Sequence, residues 1–292
     1  MNKISIRFFN DREVRAVWDE ENSKWWFSAI DITRAINNEE DYVKAGNYWR
    51  WLKKKFSSEG VQLVSITHDF KFTAPDGKKR TADALDYDCV QILAKHFPNN
   101  NAVKFLDWFN YSDNTIDGQS KKKAYTFLNS DLVSDEDVGT TKALQQIHAY
   151  IFGGLYDFAG KIRTKTISKG DFTFCVAQYL NEALANIDKM SESSFDEIVD
   201  KYVEMNVAHP FMEGNGRSTR IWLDLILKKR LKKCVDWSKI GKNEYLQAMM
   251  ESHSDSTKIR GLLKNALTDK IDDREMFMKG IDYSYYYEEV EE

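Results

Sequence analysis

The chain has 292 residues, 42% of them hydrophobic, with a formal net charge of −4, which leaves room for two modest domains, each with its own core. No apolar stretch approaches a membrane span and no signal-peptide core stands at the N-terminus. Cys89, Cys175 and Cys234 show no CxxC spacing, zinc pattern or even pairing, so a reduced, cytoplasmic compartment is expected.

In chain order, short β-type runs come first: Ile4–Phe8, Val14–Trp18 and Trp25–Phe27, with a polar turn at Asp19–Lys24. A helix is predicted to start at Ser28 with Asp31 in its first turn. A second covers about Tyr42–Phe56 and carries Trp49, Trp51, Arg50, Lys53, Lys54 and Lys55. Pro75-Asp76-Gly77, followed by Lys78-Lys79-Arg80, signals a hairpin. The runs Val14-Arg15-Ala16-Val17-Trp18 and Trp25-Trp26-Phe27-Ser28-Ala29-Ile30-Asp31-Ile32 resemble the Bro-N type of domain of phage antirepressor-like proteins, which implies DNA binding. Charge lends that only faint support, since residues 1–110 hold 17 basic and 16 acidic residues, a net of +1, far from the basic excess of a typical DNA-binding domain. The basic clusters and tryptophans form either a local DNA patch or a core with a solvated face. A protein-interaction or target-presenting role stays equally open.

Residues 111–123 are polar, lack apolar periodicity and are expected to be a linker. Beyond them Leu144, Ile147, Ile151 and Leu155 mark an amphipathic helix that runs into Tyr156-Asp157-Phe158-Ala159-Gly160-Lys161-Ile162-Arg163. Around a Lys169-Gly170-Asp171 turn, the alternation from Thr166 to Phe174 predicts a β-hairpin. Ser194 and Glu197 form a capping box ahead of Ile198, Tyr202 and Met205, and Pro210 ends that helix at about His209.

Residues 209–220 read His-Pro-Phe-Met-Glu-Gly-Asn-Gly-Arg-Ser-Thr-Arg. His209 has an ordinary pKa of ~6.5 and can take a proton when neutral. Phe211 anchors the loop. Glu213 is a hard oxygen ligand suited to Mg²⁺ between phosphates. Gly214-Asn215-Gly216 precedes a helix starting near Arg217 with Ile221, Trp222, Leu225 and Ile226 as its stripe, so backbone N–H groups and the helix dipole face an anion. Arg217 and Arg220 lie on one face of its first turn, against the dipole, which makes sense opposite phosphate.

This run resembles the Fic family signature, His-x-Phe-x-Asp/Glu-Gly-Asn-Gly-Arg-x-x-Arg, and no signature position departs from it. The Tyr156–Gly160 run is similar to that family too. The resemblance implies a mainly α chain: a Fic-type helical bundle with a β-hairpin flap over 124–292, preceded by a smaller α+β domain over 1–110. It implies transfer of AMP from ATP to a hydroxyl side chain of a target protein, with release of pyrophosphate. His209 would be the general base and Glu213 the Mg²⁺ ligand. Gly214, Asn215 and Gly216 would line the anion hole, and Arg217 and Arg220 would contact the nucleotide phosphates. The flap, Ile167, Ser168, Lys169, Gly170, Asp171, Phe172 and Thr173, would clamp the target by strand addition.

At the C-terminus, Ser284-Tyr285-Tyr286-Tyr287-Glu288 places Ser284 and Glu288 four apart. It resembles the family's inhibitory motif, Ser/Thr-x-x-x-Glu followed by Gly or Asn, in a helix around 282–289. Glu288 would then pair with Arg220 and exclude the γ-phosphate. Glu289 stands where Gly or Asn is expected, and the alternative is a frayed acidic tail of Glu288, Glu289, Glu291 and Glu292. Tyr283, Tyr285, Tyr286 and Tyr287 are expected acceptors for self-modification. Three rivals stand beside AMP transfer: removal of AMP at the same site, transfer from another nucleotide, and a DNA-binding regulator whose Fic domain senses nucleotide. The target, the nucleotide preference and self-association are not written in the sequence.

Overall fold

In the computed structural model, which describes residues 4–60, 67–73, 78–128, 130–170 and 172–289, the early β-type runs become three antiparallel strands. They are β1 (Ile4–Phe9), β2 (Arg12–Asp19) and β3 (Lys24–Ser28). Asn10 and Asp11 join β1 to β2 at φ 47° and 59°, the two left-handed positions that a tight hairpin turn demands. Helices α1 (Ala29–Asn37) and α2 (Tyr42–Glu59) follow, then β4 (His68–Thr73), β5 (Lys79–Leu85), α3 (Tyr87–Ala94) and α4 (Asn100–Tyr111). The sheet order is β1-β2-β3-β5-β4. The turn expected at Pro75-Asp76-Gly77 lies outside the described residues, but β4 and β5 pair as a hairpin requires.

Helix α1 starts where expected, with the Ser28 hydroxyl accepting from Asp31 N–H at 3.3 Å. Asp31 is buried and takes Arg15 in a two-pronged ion pair, Nε to Oδ2 at 2.7 Å and Nη2 to Oδ1 at 2.8 Å. The two runs singled out in the sequence therefore meet through a buried charge pair, and removing one partner of such a pair costs ~3–5 kcal/mol. Trp49 is core, packed with Phe27, Ile32, Phe56, Phe105 and Phe109.

The chain divides into two compact units, Met1–Thr115 and Ile116–Glu292. The stretch expected as a linker is instead mostly helical. Helix α4 closes at Tyr111, a 3-10 turn occupies Ser112–Asn114, and α5 spans Ile116–Phe127. Hydrophobic periodicity missed α5 because its buried face is narrow (Ser120, Ala124, Phe127) and it is held partly by charge, with Lys121 Nζ 2.7 Å from the buried Asp282 carboxylate.

The second unit continues with α6 (Thr141–Phe152), a hairpin of β6 (Ser168–Lys169) and β7 (Phe172–Thr173), α7 (Ala177–Asp188), α8 (Phe195–Ala208) and α9 (Asn215–Leu231). Then come β8 (Cys234–Val235), α10 (Lys242–Glu251), α11 (Thr257–Ala266), β9 (Leu267–Thr268), which pairs with β8, and α12 (Arg274–Tyr286). The capping box of α8 is present: Ser194 Oγ accepts from Glu197 N–H at 3.3 Å, and Glu197 Oε2 accepts from Ser194 N–H at 3.0 Å. Leu144 and Ile147 of α6, Ile198 and Tyr202 of α8, and Trp222 and Ile226 of α9 fill the core. With about 56% helix and twelve helices among the described residues, the chain is mainly α. None of these helices is long and apolar enough to cross a membrane.

Candidate active site

Pro210 stops α8 as expected, but His209 takes a left-handed conformation (φ 48°, ψ 64°) rather than an extended one, its N–H still bonded to Met205 O at 3.0 Å. This αL cap turns the imidazole out of the helix and onto Phe174, the two rings stacked at 3.7 Å and 17°. His209 Nδ1 lies 3.2 Å from Asn206 O. A carbonyl only accepts, so Nδ1 carries the proton and Nε2 keeps its lone pair. Burial holds this imidazole down to about 4, against the Asn206 carbonyl and Glu288, which favour the charged form; Arg163 and Lys169 push further down.

Beyond His209 the loop is closed by Asn215, whose amide accepts from Phe211 N–H at 2.9 Å and donates to Phe211 O at 2.8 Å. The sequence reading placed Asn215 in the anion hole; its side chain is engaged in shaping the loop, and only its backbone opens α9. His148 of α6 holds the same loop from below. Its Nδ1 accepts from Gly160 N–H and its Nε2 faces Glu213 O, both at 2.9 Å, while the ring stacks on Phe211 at 3.8 Å. Burial lowers His148 to about 4, which keeps the neutral form that this pair of bonds requires.

Gly214 caps α9 at φ 80°, and a Cβ there would lie 2.4 Å from the Phe152 ring. Gly216 is demanded by a different approach. A Cβ on it would fall 2.1 Å from Glu288 Oε1, so a carboxylate sits directly on the first turn of α9. That turn is where the sequence reading placed an anion cradle.

The two motif arginines are buried at the head of this helix. Arg217 pairs with Asp117 and, at 2.9 Å, with Glu213 Oε1, and its guanidinium lies over the Phe152 and Tyr285 rings at 5.1 and 5.5 Å. Arg220 is 2% exposed; its Nε donates to Ser284 Oγ and its Nη2 to Ser284 O, both at 2.7 Å, and Nη2 also pairs with Glu288. Burial alone would raise Glu288, but Arg220 first, then Arg217 and Lys169, hold it below the usual carboxylate range. The helix end missing from the sequence is supplied by i→i+3 bonds, Glu288 N–H to Tyr285 O at 3.0 Å and Glu289 N–H to Tyr286 O at 3.2 Å.

The hairpin expected over 166–174 is there, with Ser168 paired to Thr173 and Lys169 to Phe172; Asp171 lies outside the described residues. Gly170 turns at φ 58°. Ser168 and Lys169 are exposed, and Ile167 and Phe172 half-buried. Sequence reading gave no site role to Asp117, Phe174 or Arg163. Arg163 had a signal, since it ends the Tyr156–Arg163 run, but nothing there says what an arginine would hold.

Residues 139–227 match the model of the Fic/DOC family. Over that segment the chain is similar to Fic/DOC proteins. Related proteins include the protein adenylyltransferase VbhT of Bartonella schoenbuchensis, 29% identical over 140 residues that make up 43% of this chain and 29% of that protein. The probable protein adenylyltransferase y4lH of Sinorhizobium fredii is 29% identical over 120 residues, 37% of this chain and 62% of its own length. The chain thus spans less than two thirds of either relative. Among solved structures, the N-terminal Fic domain of a Bartonella effector protein is similar, with a TM-score of 0.48 at 16% identity over 56% of this chain and 84% of that one. The end of α8 delivers the histidine, the start of α9 the glycine turn and both arginines, and the turn after α12 the carboxylate that pairs with Arg220.

Proposed function

We propose that the chain is a protein adenylyltransferase, transferring AMP from ATP to a hydroxyl of a target protein and held in check by Glu288. The observation that carries this reading is a neutral imidazole, with Nε2 as its basic nitrogen, in one unit with a glycine-turned helix start bearing two buried arginines. The relatives named as adenylyltransferases support it. His209 Nε2 takes the proton of the target hydroxyl as that oxygen bonds to the α-phosphorus. The bond from phosphorus to the bridging oxygen breaks, and pyrophosphate leaves. Arg217, Arg220 and the N–H groups of α9 stabilise the phosphate charge. Glu213, 56% exposed beside that helix start, fits Mg²⁺, which takes one or two carboxylates and completes its shell with phosphate and water. The described residues hold no cluster of three or more metal-ligating side chains, so the phosphates would supply much of that shell. Bound there, Mg²⁺ would neutralise charge gathering on the leaving pyrophosphate. Incubation with labelled ATP, GTP, CTP and UTP, read by mass spectrometry, tests the reaction; label from a nucleotide other than ATP, or loss of AMP from a pre-labelled protein, decides for the rivals.

A base held at about 4 fixes the acid side of the pH profile. Deprotonated His209 is the working form, so kcat should stay level as pH falls through 6.5 and decline only near pH 4. A decline centred near 6.5 would show an imidazole at its ordinary value in the working enzyme.

For the N-terminal unit we propose nucleic-acid contact through the outer face of α2. There Trp51 is 52% exposed with Lys55 Nζ 5.5 Å from its ring centre, beside exposed Arg50 and Lys54. Trp49 and Lys53 do not belong to this face, as both bond Asp83 at 2.6 Å and Trp49 is buried. Stacking of a base on one aromatic is worth ~1–3 kcal/mol. The intact chain should therefore retard DNA oligonucleotides at low salt, with Trp51→Ala weakening binding about ten-fold and salt weakening it steeply. No retardation at low salt ends this reading.

A further inference from the structure

Arg163 is buried and every direction of its guanidinium ends on a backbone carbonyl. Nε donates to His209 O at 2.8 Å, Nη1 to Lys165 O at 2.6 Å, and Nη2 to Cys175 O at 2.5 Å and Ala208 O at 3.0 Å. Its own N–H donates to Pro210 O at 2.9 Å. These carbonyls belong to three segments: the end of α8 with His209 and Pro210, the bend ahead of the hairpin at Lys165, and the bend after it at Cys175. Cys175 N–H also bonds Val207 O at 3.1 Å, and the preceding residue, Phe174, stacks on His209.

The carbonyls at a helix C-terminus lack intrahelical donors, and a cation there meets the negative end of the dipole. A left-handed backbone at a residue with a side chain costs on the order of 1–2 kcal/mol and persists only where its surroundings over-determine it. Arg163 supplies that over-determination at His209. Lysine has the charge but not the planar fork, and cannot reach four carbonyls in three directions.

We infer that Arg163 is the positioning residue of His209, fixing the left-handed cap that aims the imidazole and tying it to the segments on either side of the flap hairpin. Target binding on the flap is thereby felt at the base. This inference rests on the reading of His209 as general base. The charged groups acting on the imidazole are Glu288 from the α12 end, Lys169 from the flap and Arg163 itself, with the Asn206 carbonyl bonded to Nδ1.

The test uses the full chain with Arg163→Lys and Arg163→Ala. The first readout is the His209 imidazole titration by NMR, with the resonance assigned by its loss in His209→Ala. Arg163→Lys keeps the positive charge, so a midpoint that moves from about 4 toward ~6.5 reports lost geometry and solvation of the ring. The second readout, in a Glu288→Gly background, is kinetic. A misplaced base should lower kcat by roughly 10²-fold with KM for ATP unchanged, because the phosphates are held at the start of α9. A folded Lys variant with wild-type titration and kcat overturns the inference. So does a raised KM with kcat intact, and so does loss of folding in both variants, which assigns Arg163 to stability alone. The titration needs no turnover, so a failure of the base reading, seen as transfer by His209→Ala, is distinguishable from a failure of this one.

Discussion

Replacing His209 with alanine is expected to lower AMP transfer by ~10²–10⁴-fold, the range that general-base catalysis contributes, while Mg²⁺-ATP binding stays nearly intact. The separation follows from geometry. His209 ends α8 and shares its contacts with Asn206, Phe174 and Arg163, whereas the arginines and the glycine turn belong to α9. Alanine also places a less tolerant residue at φ 48°, so His209→Asn is the better companion, since asparagine accepts a left-handed backbone and offers no base. Both variants should titrate with ATP calorimetrically as wild type does and fail in single-turnover labelling. Turnover equal to wild type in either would remove the base from the mechanism.

What was legible in advance divides along one physical line. Covalent adjacency and helical spacing were readable. The run from His209 to Arg220 is contiguous, and Ser284 and Glu288 are one helical turn apart, so both appeared as units. Through-space support was not. Arg163 reaches Ala208 and His209 across 45 and 46 positions, and Arg217 meets Asp117 across 100. No local pattern marks those pairs. Asn215 shows a subtler limit, because its place in the motif is equally compatible with touching a ligand and with bracing the loop, and only its bonds to Phe211 separate the two. Helix α5 was lost for a third reason. Its sequence is polar because its buried contacts include Ser120 and an ion pair from Lys121 rather than a broad apolar face.

The tail gives the sharpest case of a sequence fragment whose meaning depends on the fold. Four tyrosines looked like acceptors for self-modification. Tyr287 OH is buried and donates to Trp237 O at 2.7 Å and Ile240 O at 2.8 Å, and Tyr285 OH donates to Ser120 Oγ at 3.0 Å. Those two hydroxyls are structural in this state, and either could serve as the expected acceptor only if the helix end loosened. For those two tyrosines, self-modification and release from the proposed inhibition would be one event, not two.

Glu288→Gly should therefore raise AMP incorporation by at least about ten-fold, equivalent to ~1.4 kcal/mol, while making the protein less stable. Arg220 is 2% exposed and Glu288 has 23% of its side chain exposed, so the pair is largely removed from water. Deleting one partner leaves a buried guanidinium with Ser284 and Tyr245 but no countercharge, at a cost of ~3–5 kcal/mol. The same deletion clears the carboxylate that lies over Gly216, where phosphate oxygens would be received. The uncompensated Arg220 then gains a partner when nucleotide binds. ATP should consequently raise the melting temperature more in Glu288→Gly than in wild type, in proportion to its tighter binding. Glu289→Gly is the control for a generic loss of tail charge, and the bond from Lys242 Nζ to the Glu289 backbone carbonyl at 2.7 Å survives the change. A matching gain in the Glu289 variant, or labelling of Glu288→Gly no higher than wild type, would falsify inhibition through this carboxylate. If Glu288→Gly instead loses AMP removal from a pre-labelled protein without gaining incorporation, the carboxylate orients water for hydrolysis of the AMP–protein bond, and Arg220 is its anchor rather than its target.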